Sequence, residues 1–146
     1  MNTLHQSNRR GFLGIMAVLA LSLSACSSMP YGNGIHVMLS GDQEVPAVKT
    51  SASGSGTVTI GADKSVSGSV TTTGVAGTMA HIHIAAAGKN GPVIVPMTKS
   101  GDNTWSFAPG AKLTDAQYEA YKAGGLYINV HSAEHKGGEI RGQLNP

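Results

Sequence analysis

From residue 35 onward, apolar side chains return at every second position in short runs, and each run stops at a cluster of Gly, Pro, Asn or Asp. Successive residues of an extended chain point to opposite faces, so a period of two commits the chain to half-buried strands. Ile35, Val37 and Leu39 share one face, with His36 and Met38 on the other. Val58 with Ile60, Val66 with Val70, Ile82 with Ile84, Leu126 with Ile128 and Val130, and Ile140 with Leu144 repeat the rhythm. Val93 to Val95 forms a short apolar run, and Thr104 to Phe107 carries the single Trp. Turn clusters at Gly61-Ala62-Asp63-Lys64, Gly88-Lys89-Asn90-Gly91-Pro92, Ser100-Gly101-Asp102-Asn103 and Lys136-Gly137-Gly138 separate them. Glycine, at 20 of 146 residues, supplies many of those turns. One helix interrupts the series: Thr114 is an N-cap, Gln117 completes a capping box, Leu113 staples against Tyr118, and Gly124-Gly125 ends it. The pattern predicts an all-β fold: an antiparallel Greek-key sandwich or flattened barrel of about eight strands with one short crossover helix.

The first residues follow a different rule. MNTLHQSNRR is polar and basic, and GFLGIMAVLALSLSA is an apolar run of signal-peptide length, shorter than the ~20 residues that span a bilayer. Residues 1–25 are therefore read as a signal peptide. Leu23-Ser24-Ala25-Cys26 resembles the lipobox of bacterial lipoproteins, in which the cysteine thiol receives a diacylglycerol and becomes the new N-terminus. That also gives the single cysteine a purpose. Ser27 after the cysteine resembles lipoproteins sorted to the outer membrane, which places the expected location on the periplasmic face of a bacterial envelope. Arg9-Arg10-Gly11-Phe12-Leu13 resembles a twin-arginine export signal, with Asn8 where that pattern takes Ser or Thr; a general secretory signal fits equally well. Residues 26–34, rich in Ser, Pro and Gly, read as a tether, and 35–146 as one domain. Without Arg9 and Arg10 the basic residues fall from 10 to 8, against 8 acidic ones. The nominal pI near 8.8 thus belongs largely to the signal, and nucleic acid is excluded as a partner.

The histidines fall on the polar side of the alternation. If Ile82 and Ile84 face the core, His81 and His83 project together from the opposite face of one strand, ~6–7 Å apart. His131 stands opposite Leu126, Ile128 and Val130, and His36 opposite Ile35, Val37 and Leu39. Rigid imidazoles sharing a face suit copper, and zinc less so, far better than calcium or magnesium. The competing role is a set of solvated surface histidines. Met38 and Met79 are nearby soft donors with core filling as their alternative, and His135 is a spare ligand. Arg141, the only arginine beyond the signal, sits opposite Ile140 and Leu144; it could attract an anion beside the histidines or pair with Glu139 or Glu44. Gln43 and Glu44 are expected to fix the loop after the first strand. No carboxylate pair, Ser/His/Asp set or P-loop is apparent.

Three motifs in order carry a resemblance. Leu39-Ser40-Gly41-Asp42-Gln43-Glu44-Val45-Pro46 resembles the opening of the CHRD domain, named after chordin. His81-Ile82-His83 with Gly88-Lys89-Asn90-Gly91-Pro92-Val93 resembles its middle. Leu113-Thr114, then Gly125 to His131 and Gly138 to Leu144 resemble its end. The resemblance covers roughly 35–144 and implies a β-sandwich domain of exported bacterial proteins. A His-x-His strand, a later His and a near-terminal Arg also resemble, loosely, the copper side of Cu,Zn superoxide dismutases; the second His/Asp cluster and the disulfide of those enzymes are missing. Three functions follow as expectations: a copper-only dismutase taking superoxide, with Arg141 guiding the anion and His36, His81, His83 and His131 on the metal; a non-catalytic copper-binding or delivery module; or a metal-free envelope interaction domain. All three keep the membrane anchor at Cys26.

Overall fold

The computed structural model describes Met1 and residues 34–146; the expectations for the signal, the lipobox Cys26 and most of the tether fall outside the described residues. The alternating runs become eight antiparallel strands: β1 Ile35–Ser40, β2 Ser53–Ile60, β3 Val66–Thr73, β4 Gly77–Ile84, β5 Val93–Lys99, β6 Thr104–Phe107, β7 Leu126–Ser132 and β8 Ile140–Leu144. One helix, α1 Asp115–Lys122, links β6 to β7. Its capping box forms as expected: Gln117 N–H donates to Thr114 Oγ1 (3.3 Å) and Thr114 N–H to Gln117 Oε1 (2.8 Å). Among the described residues, no helix is long and apolar enough to cross a membrane.

The strands close into a barrel in the order β1-β2-β3-β6-β5-β4-β7-β8. Strands β4, β5 and β6 form a meander, and β3 returns beside β6, which is a Greek key; α1 then carries the chain back so that β7 lies beside β4. That crossing matters most for function, because it sets the His-x-His strand against the strand carrying His131. The inward set fills the interior: Val37, Leu39, Val58, Val70, Ile82, Leu126, Ile128, Val130, Ile140 and Leu144 are essentially fully buried. Most of the barrel exposes its outer face to water, and alternate residues of β3 are exposed. β7 differs, since all seven of its residues are buried. Its outer side chains Tyr127, Asn129 and His131 lie under loops rather than in solvent.

β1 and β8 meet around one register pair, Ser40 opposite Arg141, and close the barrel. The approach depends on Gly142, where a Cβ would come within 2.5 Å of Met38 O and 2.7 Å of Val37 Cγ2. Backbone cannot yield as a flexible side-chain tip does, so Gly142→Ala is expected to cost about 1–3 kcal/mol as overpacking. Thermal unfolding should show a midpoint lower by several degrees; an unchanged midpoint would mean that the closure is not held this tightly.

Candidate metal centre

His81 and His83 lie on β4, and His131 on β7 directly beside it. The register opposes His81 to Asn129, His83 to Tyr127 and Met79 to His131. Cross-strand partners share a face, so the three imidazoles rise from one side of one strand pair. One nitrogen from each lies within 4.8 Å of the others. His81 Nδ1 and His131 Nε2 are 3.2 Å apart, a spacing two ligands of one ion take when each metal–nitrogen bond is ~2.0–2.1 Å. When one of these nitrogens carries a proton the other accepts it; a metal ion would take that proton's place.

Two of the rings are oriented by backbone. His83 Nδ1–H donates to Gly91 O (2.9 Å), and His131 Nδ1–H donates to Lys136 O (2.9 Å). Holding the proton on Nδ1 leaves the Nε2 lone pair facing the cluster, the arrangement expected of metal-ligating histidines. His83 Nε2 is buried with no hydrogen-bond partner. A buried acceptor left unmade costs about 1–3 kcal/mol, which a metal bond at that atom would offset. Burial depresses the His81 pKa first, and the charges of His131 and then His83 lower it further. Burial is also the main cause lowering His83; the Gly91 carbonyl opposes it, while His131 and Arg141 add to it. Both rings are therefore neutral at pH 7, as ligation requires. The donor set fits a borderline-soft ion.

The structure does not bring His36 to this group. It shares the outer face, but it is exposed on β1, across β8 from β7, and four residues from Ser40, or ~13 Å along the strand. Parity alone could not tell a shared face from a shared site. Arg141 lies on the histidine side, the side its parity implied, but it is only 1 % exposed. Nη1 donates to Lys89 O (2.8 Å) and Asn90 Oδ1 (3.5 Å), and Nη2 to Ala86 O (3.4 Å) and Gln143 Oε1 (3.2 Å). Those donors face a loop, so the guanidinium cannot hand them to an incoming anion. Neither carboxylate considered as its partner forms an ion pair with it: Glu139 accepts from Thr50 Oγ1 (2.9 Å), and both Glu44 oxygens accept from Asn129 Nδ2 (3.0 Å). Gln43 donates to Met38 O (2.9 Å) and fixes the loop after β1 as expected. His135 shapes the β7–β8 loop through its backbone, accepting from Gly138 N–H (3.0 Å).

A family model for the CHRD domain matches residues 35–144, which takes in every strand and the whole cluster. The chain belongs to the CHRD domain family. No curated relative and no solved structure matches it. Within this CHRD domain, sequence reasoning missed Tyr127, Gly91 and the Lys136 carbonyl. Tyr127 stacks on His83 with ring centroids 4.9 Å apart at 12°, and its hydroxyl oxygen accepts from Gly91 N–H (3.2 Å). Gly91 also leaves no room for a side chain, since a Cβ would strike Ile84 O. Backbone carbonyls carry no side-chain signal, but Gly91 lies in the Gly88–Pro92 motif and Tyr127 in the Gly125–His131 motif.

Behind the cluster lies Glu44. Burial pushes its carboxyl up from 4.5 to about 7, against the lowering effects of Arg141 and of the Asn129 hydrogen bond. The folded protein thus holds this proton to higher pH than the unfolded chain, so the contribution of Glu44 to stability falls as pH rises from 4.5 to about 7, while the lowered His81 and His83 contribute in the opposite direction. Glu44→Gln, which cannot ionise, loses that contribution, so in denaturant titrations its stability should fall less, or rise more, across that window than the wild type's. Identical slopes in both proteins would contradict the raised carboxyl.

Proposed function

We propose that this CHRD domain is a copper-binding module of the bacterial envelope, holding one ion through His81, His83 and His131 and carrying or buffering it without turnover. The observation that carries the reading is the convergence of three imidazole nitrogens within 4.8 Å, two of them oriented by backbone carbonyls. Imidazole ligands suit copper and zinc alike; the thioether beside them favours copper. Met79 is the register partner of His131, lies on the His81 face and is 50 % exposed, so it has no core to fill. It is the fourth donor at hand for Cu(I).

Superoxide dismutation is the second reading. His81 is only partly buried, which keeps one side of the cluster open to a small anion. The saturated, buried guanidinium of Arg141 supports the carrier instead, because no other arginine is present among the described residues to guide the substrate. The two readings separate on whether the copper-loaded protein consumes superoxide faster than the same protein stripped of metal. The carrier reading expects equal rates.

Competition with a chromophoric chelator should yield one copper per chain. His83→Ala should weaken binding by at least about 100-fold, since an oriented ligand is lost outright, while His36→Ala and His135→Ala should bind as the wild type does. Full affinity in His83→Ala would remove the site.

Leu23-Ser24-Ala25-Cys26 supports anchoring by a lipid at Cys26, on the periplasmic side of the outer membrane. Cys26→Ala should move the protein from the membrane fraction to the soluble one; a variant that stays with the membrane contradicts lipidation.

A further inference from the structure

β7 is flanked by β4 and β8, so Tyr127 meets its register partner His83 on one side and, diagonally across β8, Arg141 on the other. The His83 and Tyr127 rings are parallel within 12° at 4.9 Å, and the Arg141 guanidinium carbon lies 3.4 Å over the Tyr127 ring. Tyr127 is 2 % exposed and Arg141 1 %. The result is a dry stack of imidazole, phenol and guanidinium, with the last always charged. Cation–π attraction strengthens on desolvation, and a charge in such surroundings is poorly screened.

From this geometry we infer that Arg141 and Tyr127 are positioning residues for the metal centre, and that their stack on His83 biases the site toward Cu(I) over Cu(II). The inference rests on the copper reading and deepens it. A fixed positive charge one aromatic ring from a ligand penalises each further positive charge on the ion, and Cu(II) carries one more than Cu(I). The same residues also hold the ligand in place. Arg141 binds the carbonyls of Ala86 and Lys89, in the loop that delivers Gly91. Gly91 then accepts from His83 with its carbonyl and donates to Tyr127 with its N–H. Charge and orientation therefore arrive at His83 through one connected unit, and substitutions can separate them.

Affinities for Cu(I) and Cu(II) are to be measured on the folded protein by competition with a chelator for each oxidation state, and compared as their ratio. Arg141→Gln removes the charge; Arg141→Lys keeps it and loses the planar fork. Gln143→Glu keeps Arg141 and sets a carboxylate where Gln143 Oε1 now accepts from Nη2 at 3.2 Å, neutralising the charge in place; it also gives up the Nε2 donations to Ala85 O and Gly124 O, so its ratio is read against Gln143→Met, which gives up the same donations without adding charge. Arg141→Gln and Gln143→Glu should each shift the ratio toward Cu(II) by about tenfold or more, with Arg141→Lys within about threefold of wild type. If Arg141→Gln does not fold, Gln143→Glu decides the matter. If the wild type binds copper, an unmoved ratio in Arg141→Gln and Gln143→Glu, or an equal shift in Arg141→Lys, overturns the inference and leaves the copper reading intact. A wild type that takes up neither ion removes both.

Discussion

Arg141 is the largest fully buried side chain among the described residues, and a guanidinium cannot leave water unless every part of it is compensated. Here the compensation comes from the β4–β5 loop: the carbonyls of Ala86 and Lys89 and the side chain of Asn90, with Gln143 Oε1 and the face of Tyr127 completing the enclosure. The loop thereby folds over the outside of the barrel. Gln143 reinforces it by donating to Ala85 O (3.1 Å) and Gly124 O (2.8 Å), tying the same loop to the end of α1. A second buried layer results, polar and outside the apolar core, over strands that would otherwise face solvent. The three-histidine cluster lies within that layer.

The layer explains why the histidines differ from surface histidines of the same parity. Under cover, burial keeps His81 and His83 neutral, and the loop carbonyls fix where the protons sit. The Glu44 carboxyl belongs to the same arrangement: it closes over Asn129, between His81 and Arg141 in register, and burial there raises its pKa to about 7. Loop carbonyls orient His83 and His131, and of the three rings only His81 is partly exposed.

Much of the fold was legible because alternation is a local property. Each strand predicted from its Val and Ile rhythm is present, and so is the capping box of α1, whose donors and acceptors are three residues apart. Neighbour order was not legible, since β7 lies beside β4 only through the Greek-key crossing. That is why His36 shared the right parity and the wrong place, and why His131 joins the pair. Arg141 read as polar and outward, which is true of its direction; its burial depends on a loop some fifty residues earlier in the chain. Tyr127 read as a polar-face residue of β7, with nothing in its own surroundings to announce a stack between a ligand and a cation.

The central claim is that one copper ion is held by the imidazoles of His81, His83 and His131. X-ray absorption at the copper edge, on protein loaded with one equivalent, addresses it without any substitution. The account predicts three histidine nitrogens at about 2.0 Å, with the multiple-scattering pattern of intact imidazole rings. A first shell with a single imidazole, or one made of oxygen alone, would contradict it.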